Sequence, residues 1–308
     1  MFVAITGGAG FIGSNLADKL IERGDRVRIV DNLETGQLPN INSKAEVVIG
    51  SISHNVVMEE FMSYVPDVVV HAAASYKDPD NWAKDTFTNT VGTVKLLETC
   101  KRVGVKRIIY FQTSLCYGPP QEHPITLNHP INPQNSYAIT KTAAEQFIAM
   151  SGISFVSFRL ANVYGPRNLA GAVPAFYKRI TEGKSCVVFD TRRDFVFIDD
   201  LLYYVLKAID GIGEGYYHVS TGRDYSIWTV FRCVQSALNI PNVDVEFKPK
   251  MPEDVSSILL DPSETYREFG EPEWTELDKG ISEAIKWYKE NGVGEAYTHL
   301  PQKQFKGD

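Results

Sequence analysis

The chain has 308 residues, with 31 Lys and Arg against 38 Asp and Glu, a formal net charge of −7. Hydrophobic residues at 44% and charged residues at 22% describe a soluble globular chain with a packed core and exclude disordered, collagenous and coiled-coil classes. The acidic balance leaves no broad basic field for nucleic acid. The length allows one large or two medium domains. No window approaches 18 uninterrupted apolar residues and the start lacks a signal-peptide pattern, so a cytoplasmic protein without membrane association is expected. Cys100, Cys116, Cys186 and Cys233 are widely spaced with no C-x-x-C, which fits reduced thiols and no metal site.

Short β-branched runs alternate with amphipathic stretches through the first half, the pattern of a parallel sheet covered by helices on both faces. The runs predict strands over Phe2–Thr6, Arg26–Val30, Glu46–Ile49, Asp67–Ala72, Arg107–Thr113 and Ser154–Arg159. A first helix is predicted from about Phe11 to Arg23, with Gly24 as its stop. Beyond residue 165 the rhythm breaks into pieces such as Tyr164-Gly165-Pro166 and Lys248-Pro249-Lys250-Met251-Pro252. Asp194–Ile209 and Tyr216–Thr221 read as a helix and a strand returning to the first sheet, and a last amphipathic helix falls near Leu277–Asn291. The polar tail Gln302–Asp308 is expected to be disordered. The expectation is an α/β protein: a doubly wound parallel Rossmann sheet over 1–165 and a smaller C-terminal substrate-binding domain over 166–308, with about 194–221 returning to the sheet.

Thr6-Gly7-Gly8-Ala9-Gly10-Phe11-Ile12-Gly13 follows the first strand and opens the first helix. Glycines alone would serve any tight strand-to-helix turn, but here they stand where backbone N–H groups and a helix N-terminus can cradle a pyrophosphate. Gly7, Gly10, Phe11, Ile12 and Gly13 are therefore candidate cofactor contacts. Asp31, at the end of the second strand, can accept hydrogen bonds from a ribose and would repel a 2′-phosphate, which favours NAD over NADP. Asn32, Ser51 and Ile52 follow the second and third strands as further candidates. Ala72, Ala73 and Ala74 are small enough for a cofactor to pass, and His71 reads as a strand-end histidine with satisfied hydrogen bonds.

Tyr137 and Lys141 stand four residues apart on a predicted helix, one turn apart on one face. A phenol with a pKa near ~10 is a poor base at neutral pH, and a neighbouring ammonium favours its phenolate. Such pairs also occur on helix surfaces. Thr113 adds a hydroxyl at the carboxyl end of the fifth strand, where open α/β sheets bind ligands.

The glycine turn, Thr113, Tyr137 and Lys141, taken in order, resemble the extended short-chain dehydrogenase/reductase family, particularly its nucleotide-sugar epimerases and dehydratases. Asn89-Thr90-Val91-Gly92-Thr93 resembles a family helix motif, Arg159 through Arg167 its sixth-strand exit, and Arg193-Asp194-Phe195-Val196 its diphosphate segment. The resemblance implies Tyr137 as base, Lys141 on the nicotinamide ribose, Thr113 on the sugar hydroxyl, Asn89 near the cofactor, and Asn162 and Arg193 on substrate phosphates. It also implies a homodimer through helices around Asn89–Val103 and Tyr137–Ser151, where Val91, Val94, Leu97, Ala144 and Phe147 are available for core or interface.

Departures from the family narrow the chemistry. Ser114-Leu115 stands where dehydratases carry an Asp-Glu pair and decarboxylating members a Glu. Cys116 lies one position beyond the catalytic Cys of fucose-synthase-like members, Arg167 replaces their His, and Cys116 reads as a small buried residue. Oxidation at sugar carbon 4 with hydride return to the opposite face remains, the reaction of a UDP-sugar 4-epimerase. The block from His71 through Lys77-Asp78-Pro79 to Trp82, with Gln112 and Cys116, resembles epimerases of bacterial O-antigen and surface-polysaccharide clusters, which often act on uronic-acid sugars. Lys77, Arg167, Lys178 and Arg192 would suit an acidic sugar, or be ordinary solvated charge. Lys248 or Lys250 would replace a second phosphate-binding Arg, and Phe189 is placed to stack on the base or to fill the core. A dehydrogenase or reductase that releases its cofactor is the neighbouring alternative, and an NAD-sensing binding protein the alternative of another class.

Overall fold

The computed structural model describes residues 1–251 and 255–294. In chain order the elements are β1 (Phe2–Thr6), α1 (Phe11–Arg23), β2 (Arg26–Asp31), β3 (Glu46–Ile49), α2 (Asn55–Phe61), β4 (Val68–His71), α3 (Trp82–Asp85), a π-helical turn Thr86–Val91, α4 (Gly92–Val103), β5 (Arg107–Thr113), α5 (Ser136–Met150) and β6 (Ser154–Leu160). They continue with β7 (Asn162–Tyr164), α6 (Ala172–Thr181), β8 (Cys186–Phe189), β9 (Arg192–Arg193), β10 (Phe195–Phe197), α7 (Ile198–Ile209), β11 (Gly215–Val219), β12 (Tyr225–Ser226), α8 (Ile227–Leu238), β13 (Val245–Lys248), β14 (Ser257–Ile258), α9 (Ser263–Phe269) and α10 (Leu277–Asn291).

Seven strands form one sheet in the order β11-β6-β5-β4-β1-β2-β3. β1 pairs in parallel with β2 and β4, β2 with β3, and β4 with β5. The order steps outward from β1 in both directions, as a doubly wound sheet does. Its strands are apolar because helices cover both faces: Val3, Ala4, Ile5, Val69, Val70 and Ile109 are fully buried. α2, α4 and α5 close one face over Met58, Phe61, Leu96, Leu97, Ala144 and Ile148.

The chain divides into two compact units. The first comprises Met1–Cys116, Asn132–Arg159 and Tyr204–Tyr217, the second Tyr117–Ile131, Leu160–Tyr203 and the described residues from His218 onward. The second unit is built from short pairings: β7 with β10, β8 with β13, and β9 between β12 and β14. α8 packs on α6 and α10, with Phe176 set edge-on to Phe231.

The expected helix over Asp194–Ile209 begins later, because Phe195–Phe197 is taken up as a strand beside Asn162–Tyr164 and only Ile198–Ile209 is helical. The returning strand is Gly215–Val219, at the edge of the sheet. The tail Gln302–Asp308 and Pro252 lie outside the described residues. Among the described residues no helix is long and apolar enough to cross a membrane.

Candidate active site

Thr6, Asp31, His71 and Thr113 end β1, β2, β4 and β5, on the carboxyl edge where open parallel sheets take ligands. Gly7 turns the chain there with φ +71°, and a Cβ on it would meet the Ala73 nitrogen at 2.7 Å. A Cβ on Gly13 would collide with the Gly7 carbonyl oxygen. Only bare backbone fits this approach, so no side chain stands in front of the N–H groups at the start of α1, while those of Gly7, Gly8 and Gly10 are bonded within the turn and to β2. Gly10 is the N-cap of α1 and supplies no side-chain cap to the first turn, which opens with half-buried Phe11 and Ile12. The loop fits a dinucleotide diphosphate.

The Asp31 carboxylate, 7% exposed, accepts N–H bonds from Ala9 (3.0 Å) and Leu33 (2.8 Å). Burial outweighs these bonds and raises its pKa above the ordinary carboxylate value. Asp31 thus braces the glycine turn while keeping lone pairs for a ribose. The Gln37 N–H and Asn40 Nδ2 also hold the turn, donating to the Ala9 carbonyl. Asn32 is exposed, and its Oδ1 accepts the Glu34 N–H. Ser51 Oγ lies 2.8 Å from Ser53 Oγ, while Ile52 is buried in the core. Ala72, Ala73 and Ala74 are half-buried beside β1, where the Ala73 N–H donates to Thr6 Oγ1.

Asn89 sits in the π-turn. Its Oδ1 accepts the Ser75 N–H, and its Nδ2 donates to the Ser75 carbonyl and to Thr140 Oγ1. Both amide hydrogens are spent within the chain, so Asn89 ties the loop after β4 to α5, where the resemblance implied a cofactor contact.

Asn135 caps α5 by accepting the Ala138 N–H at 2.8 Å. Tyr137 is half-buried and Lys141 is 3% exposed. Lys141 Nζ stands 4.0 Å from the centre of the Tyr110 ring, and Tyr110 Oη donates to the Lys141 carbonyl at 3.0 Å. These contacts dock α5 on β5, three residues before Thr113. Thr113 Oγ1 accepts the Leu115 N–H (3.2 Å), which leaves the hydroxyl hydrogen for another acceptor. Burial pushes the Lys141 ammonium down to about 7, with Glu145 acting against it. Glu145 is held by Arg159 (2.9 Å) and Ser157 (2.5 Å). Burial, and then the Asp85 carboxylate, push the Tyr137 phenol above its ordinary value.

His71 is buried between Thr6 Oγ1 (2.6 Å) and Thr93 Oγ1 (2.8 Å). Cys116 is fully buried, and burial pushes its thiol up to about 12, as suits a packing residue.

Asn162 and Arg193 belong to the second unit. Asn162 Nδ2 donates to the Asp194 carbonyl, and Arg193 Nη1 to the Arg192 and Val255 carbonyls. Asp194 does not pair with Arg193. Its oxygens take the Thr221 N–H and hydroxyl, and burial lifts its pKa to about 6. Arg192 pairs with Asp224, Lys178 donates to the Gly294 carbonyl, and Lys248 pairs with Glu246. Lys77 is half-buried in the loop after β4, and Arg167 takes a left-handed φ of +71°.

Two residues of the site carried no role in the sequence. Gln112 Oε1 accepts the Thr113 N–H at 2.8 Å, leaving Nε2 buried and unbonded beside the strand end. Asp85 is 1% exposed and accepts the Ser75 and Ser136 hydroxyls. A lone Asp near the start of a helical segment reads as solvated charge, so no local signal marks it.

A backbone cradle for diphosphate, with a hydroxyl, phenol and ammonium on β5 and α5, defines a dinucleotide-dependent enzyme of the Rossmann type. The model of the NAD dependent epimerase/dehydratase family matches residues 3–221, well over half of the chain, and the chain belongs to that family. It is 44% identical to the Bordetella bronchiseptica enzyme WbmH in complex with NAD+, with a TM-score of 0.91 over 94% of this chain and 99% of that one. WbmG of the same organism, in complex with NAD and UDP, is 39% identical with a TM-score of 0.89 over 97% and 98%. The UDP-glucose 4-epimerase of Mycolicibacterium smegmatis is 30% identical, over 94% of this chain and 99% of its own length. Further relatives include UDP-glucuronic acid decarboxylases. The cofactor of the family is NAD, and the glycine turn and Asp31 of this chain fit it.

Proposed function

We propose that this enzyme is a UDP-sugar 4-epimerase working through a 4-keto sugar. The observation that carries the reading is the docking of α5 on β5, which seats Tyr137 and Lys141 beside the strand that ends in Thr113. When bound, NAD supplies a positively charged ring that accepts a hydride from sugar carbon 4 and returns it. The glycine turn would hold its diphosphate, Asp31 a ribose, and Lys141 the nicotinamide ribose. Tyr137 takes the proton from the 4-hydroxyl and gives it back, and Thr113 orients that hydroxyl by hydrogen bonding. Lys141 favours the phenolate. Asn162 and Arg193 are assigned to the substrate phosphates, where a guanidinium fork suits diphosphate oxygens.

Ser114 and Leu115 offer no carboxylate beside Thr113, which favours epimerisation over elimination or decarboxylation. The Bordetella WbmG complex with UDP and the epimerases among the relatives support a UDP-sugar. The surface-polysaccharide resemblance makes uronic acids the first sugars to try. Exposed apolar residues on α5 support a homodimer.

The test incubates purified protein with a panel of UDP-sugars, uronic acids included, without added NAD, and follows products by NMR. A 4-epimer that retains deuterium placed at carbon 4 supports the reading. Loss of that label to solvent, or a pentose product, overturns it.

A further inference from the structure

Asp85 ends α3 with both oxygens occupied by hydroxyls from elsewhere in the first unit: Ser75 Oγ at 2.9 Å and Ser136 Oγ at 2.8 Å. Ser75 is itself clamped at its N–H and carbonyl by Asn89. Ser136 is the first residue of α5, directly before Tyr137, and its carbonyl accepts the Thr140 hydroxyl. The carboxylate therefore staples the loop after β4 to the turn of helix that carries the phenol. The groups that hold it are neutral hydroxyls, so its charge is not cancelled where it stands. In a buried setting an anion acts on a nearby phenol more strongly than it would in water.

We propose that Asp85 is a positioning residue that sets the basicity of Tyr137, tethering the start of α5 through Ser136 and opposing the phenolate with its own charge. The proposal rests on the reading of Tyr137 as the proton-transfer group. Groups near that phenol include Asp85 from α3, Tyr76 from the loop after β4 with ring centroids 6.0 Å apart, Tyr110 from β5 and Lys141 from its own helix. The π-turn Thr86–Val91 packs against α5 and brings no titratable side chain. Asp85 raises the phenol, whereas a neighbouring ammonium such as that of Lys141 favours a phenolate. A reversible reaction needs such a balance, because Tyr137 must take a proton in one half and surrender it in the other.

The test is Asp85→Asn in the NAD-bound enzyme, with two readouts. The phenolate absorption of Tyr137, taken as the difference from a Tyr137→Phe background and without substrate, is expected to titrate about half to one pH unit lower. The acid limb of kcat is expected to move down with it. Ser136→Ala keeps the charge and removes one tether, so it should lower kcat and leave the limb in place. Asp85→Ser, which also removes the charge, is read in the same way should Asp85→Asn not fold. A phenolate titration unmoved in the charge-removing variant, or moved equally by Ser136→Ala, overturns the proposal. Since the titration uses no substrate, it stands apart from the epimerase reading, which full turnover by Tyr137→Phe would sink alone.

Discussion

Lys141 is asked to be charged in a place that disfavours charge. Its ordinary pKa is 10.5, and burial brings it to about 7, so between those values the unfolded chain holds a proton that the folded chain gives up. Stability without cofactor should therefore rise with pH from about 7 to about 10.5, and the lysine costs stability below that window. Glu145 is already paired with Arg159 and bonded by Ser157, so removing the ammonium orphans no carboxylate. Lys141→Met should be at least as stable as the parent at pH 7 to 8 in urea titrations without NAD, should lose the rise above it, and should be inactive. A variant clearly less stable across that range would show that the Lys141 cation stabilises the fold. Tyr137→Phe removes a single oxygen, so fold and NAD binding should persist while turnover falls by roughly 10²–10⁴-fold. Thr113→Val should cost less, since the proton-transfer group remains. Equal losses from both would mean that Thr113 takes part in moving the proton.

At the scale of elements, His71 joins three segments. The Thr93 hydroxyl donates to the Asn89 carbonyl at 2.5 Å, so it can only accept from His71 Nε2. Nδ1 of the neutral ring is then an acceptor for the Thr6 hydroxyl, which itself accepts the Ala73 N–H. The chain of bonds binds the ends of β1 and β4 to α4, beneath the glycine turn. Burial, with Lys141 adding to it, takes the His71 pKa down from 6.5 to about 3. The unfolded chain binds that proton first, so stability falls as pH drops through this window. His71→Gln should flatten the fall by one proton, about 1.4 kcal/mol per pH unit between pH 6 and 4, measured as the difference between parent and variant in urea unfolding. Parallel profiles would refute the latch. Elements of this kind were partly legible in the sequence. β1, α1, β3, β5 and α10 begin and end where β-branched runs, Gly24 and apolar periodicity place them, because those signals are local. The π-turn Thr86–Val91 and the two-residue strands β9, β12 and β14 carry no pattern of their own and exist through distant partners. The site divides along the same line: the four-residue spacing of Tyr137 and Lys141 is visible in the chain, whereas Asp85 meets Ser136 across 51 positions.

At the scale of the whole molecule, the groups proposed to react and the glycine turn belong to the first unit, and the residues proposed for substrate phosphates to the second. The first unit also carries an apolar surface that nothing among the described residues covers. Ile139, Phe147 and Met150 are 51%, 43% and 79% exposed along α5, and Phe87 before α4 is 61% exposed, while Leu97 and Ala144 are spent in the core. Ile139 and Met150 are 11 residues apart, about three helical turns, so they share a face with Phe147. α4 packs beside α5, and two copies of such a helix pair meeting about a twofold axis would bury this stripe in a four-helix interface. The burial lies on the outer side of α5, opposite the contacts that Lys141 makes with Tyr110. Light scattering at micromolar concentration should therefore give twice the 34.5 kDa of one chain. Phe147→Asp combined with Met150→Asp should halve that mass and leave NAD binding intact, because both side chains are exposed, Phe147 at 43% and Met150 at 79%. A parent protein that runs as a monomer would refute the dimer, and a double variant that remains dimeric would place the interface elsewhere.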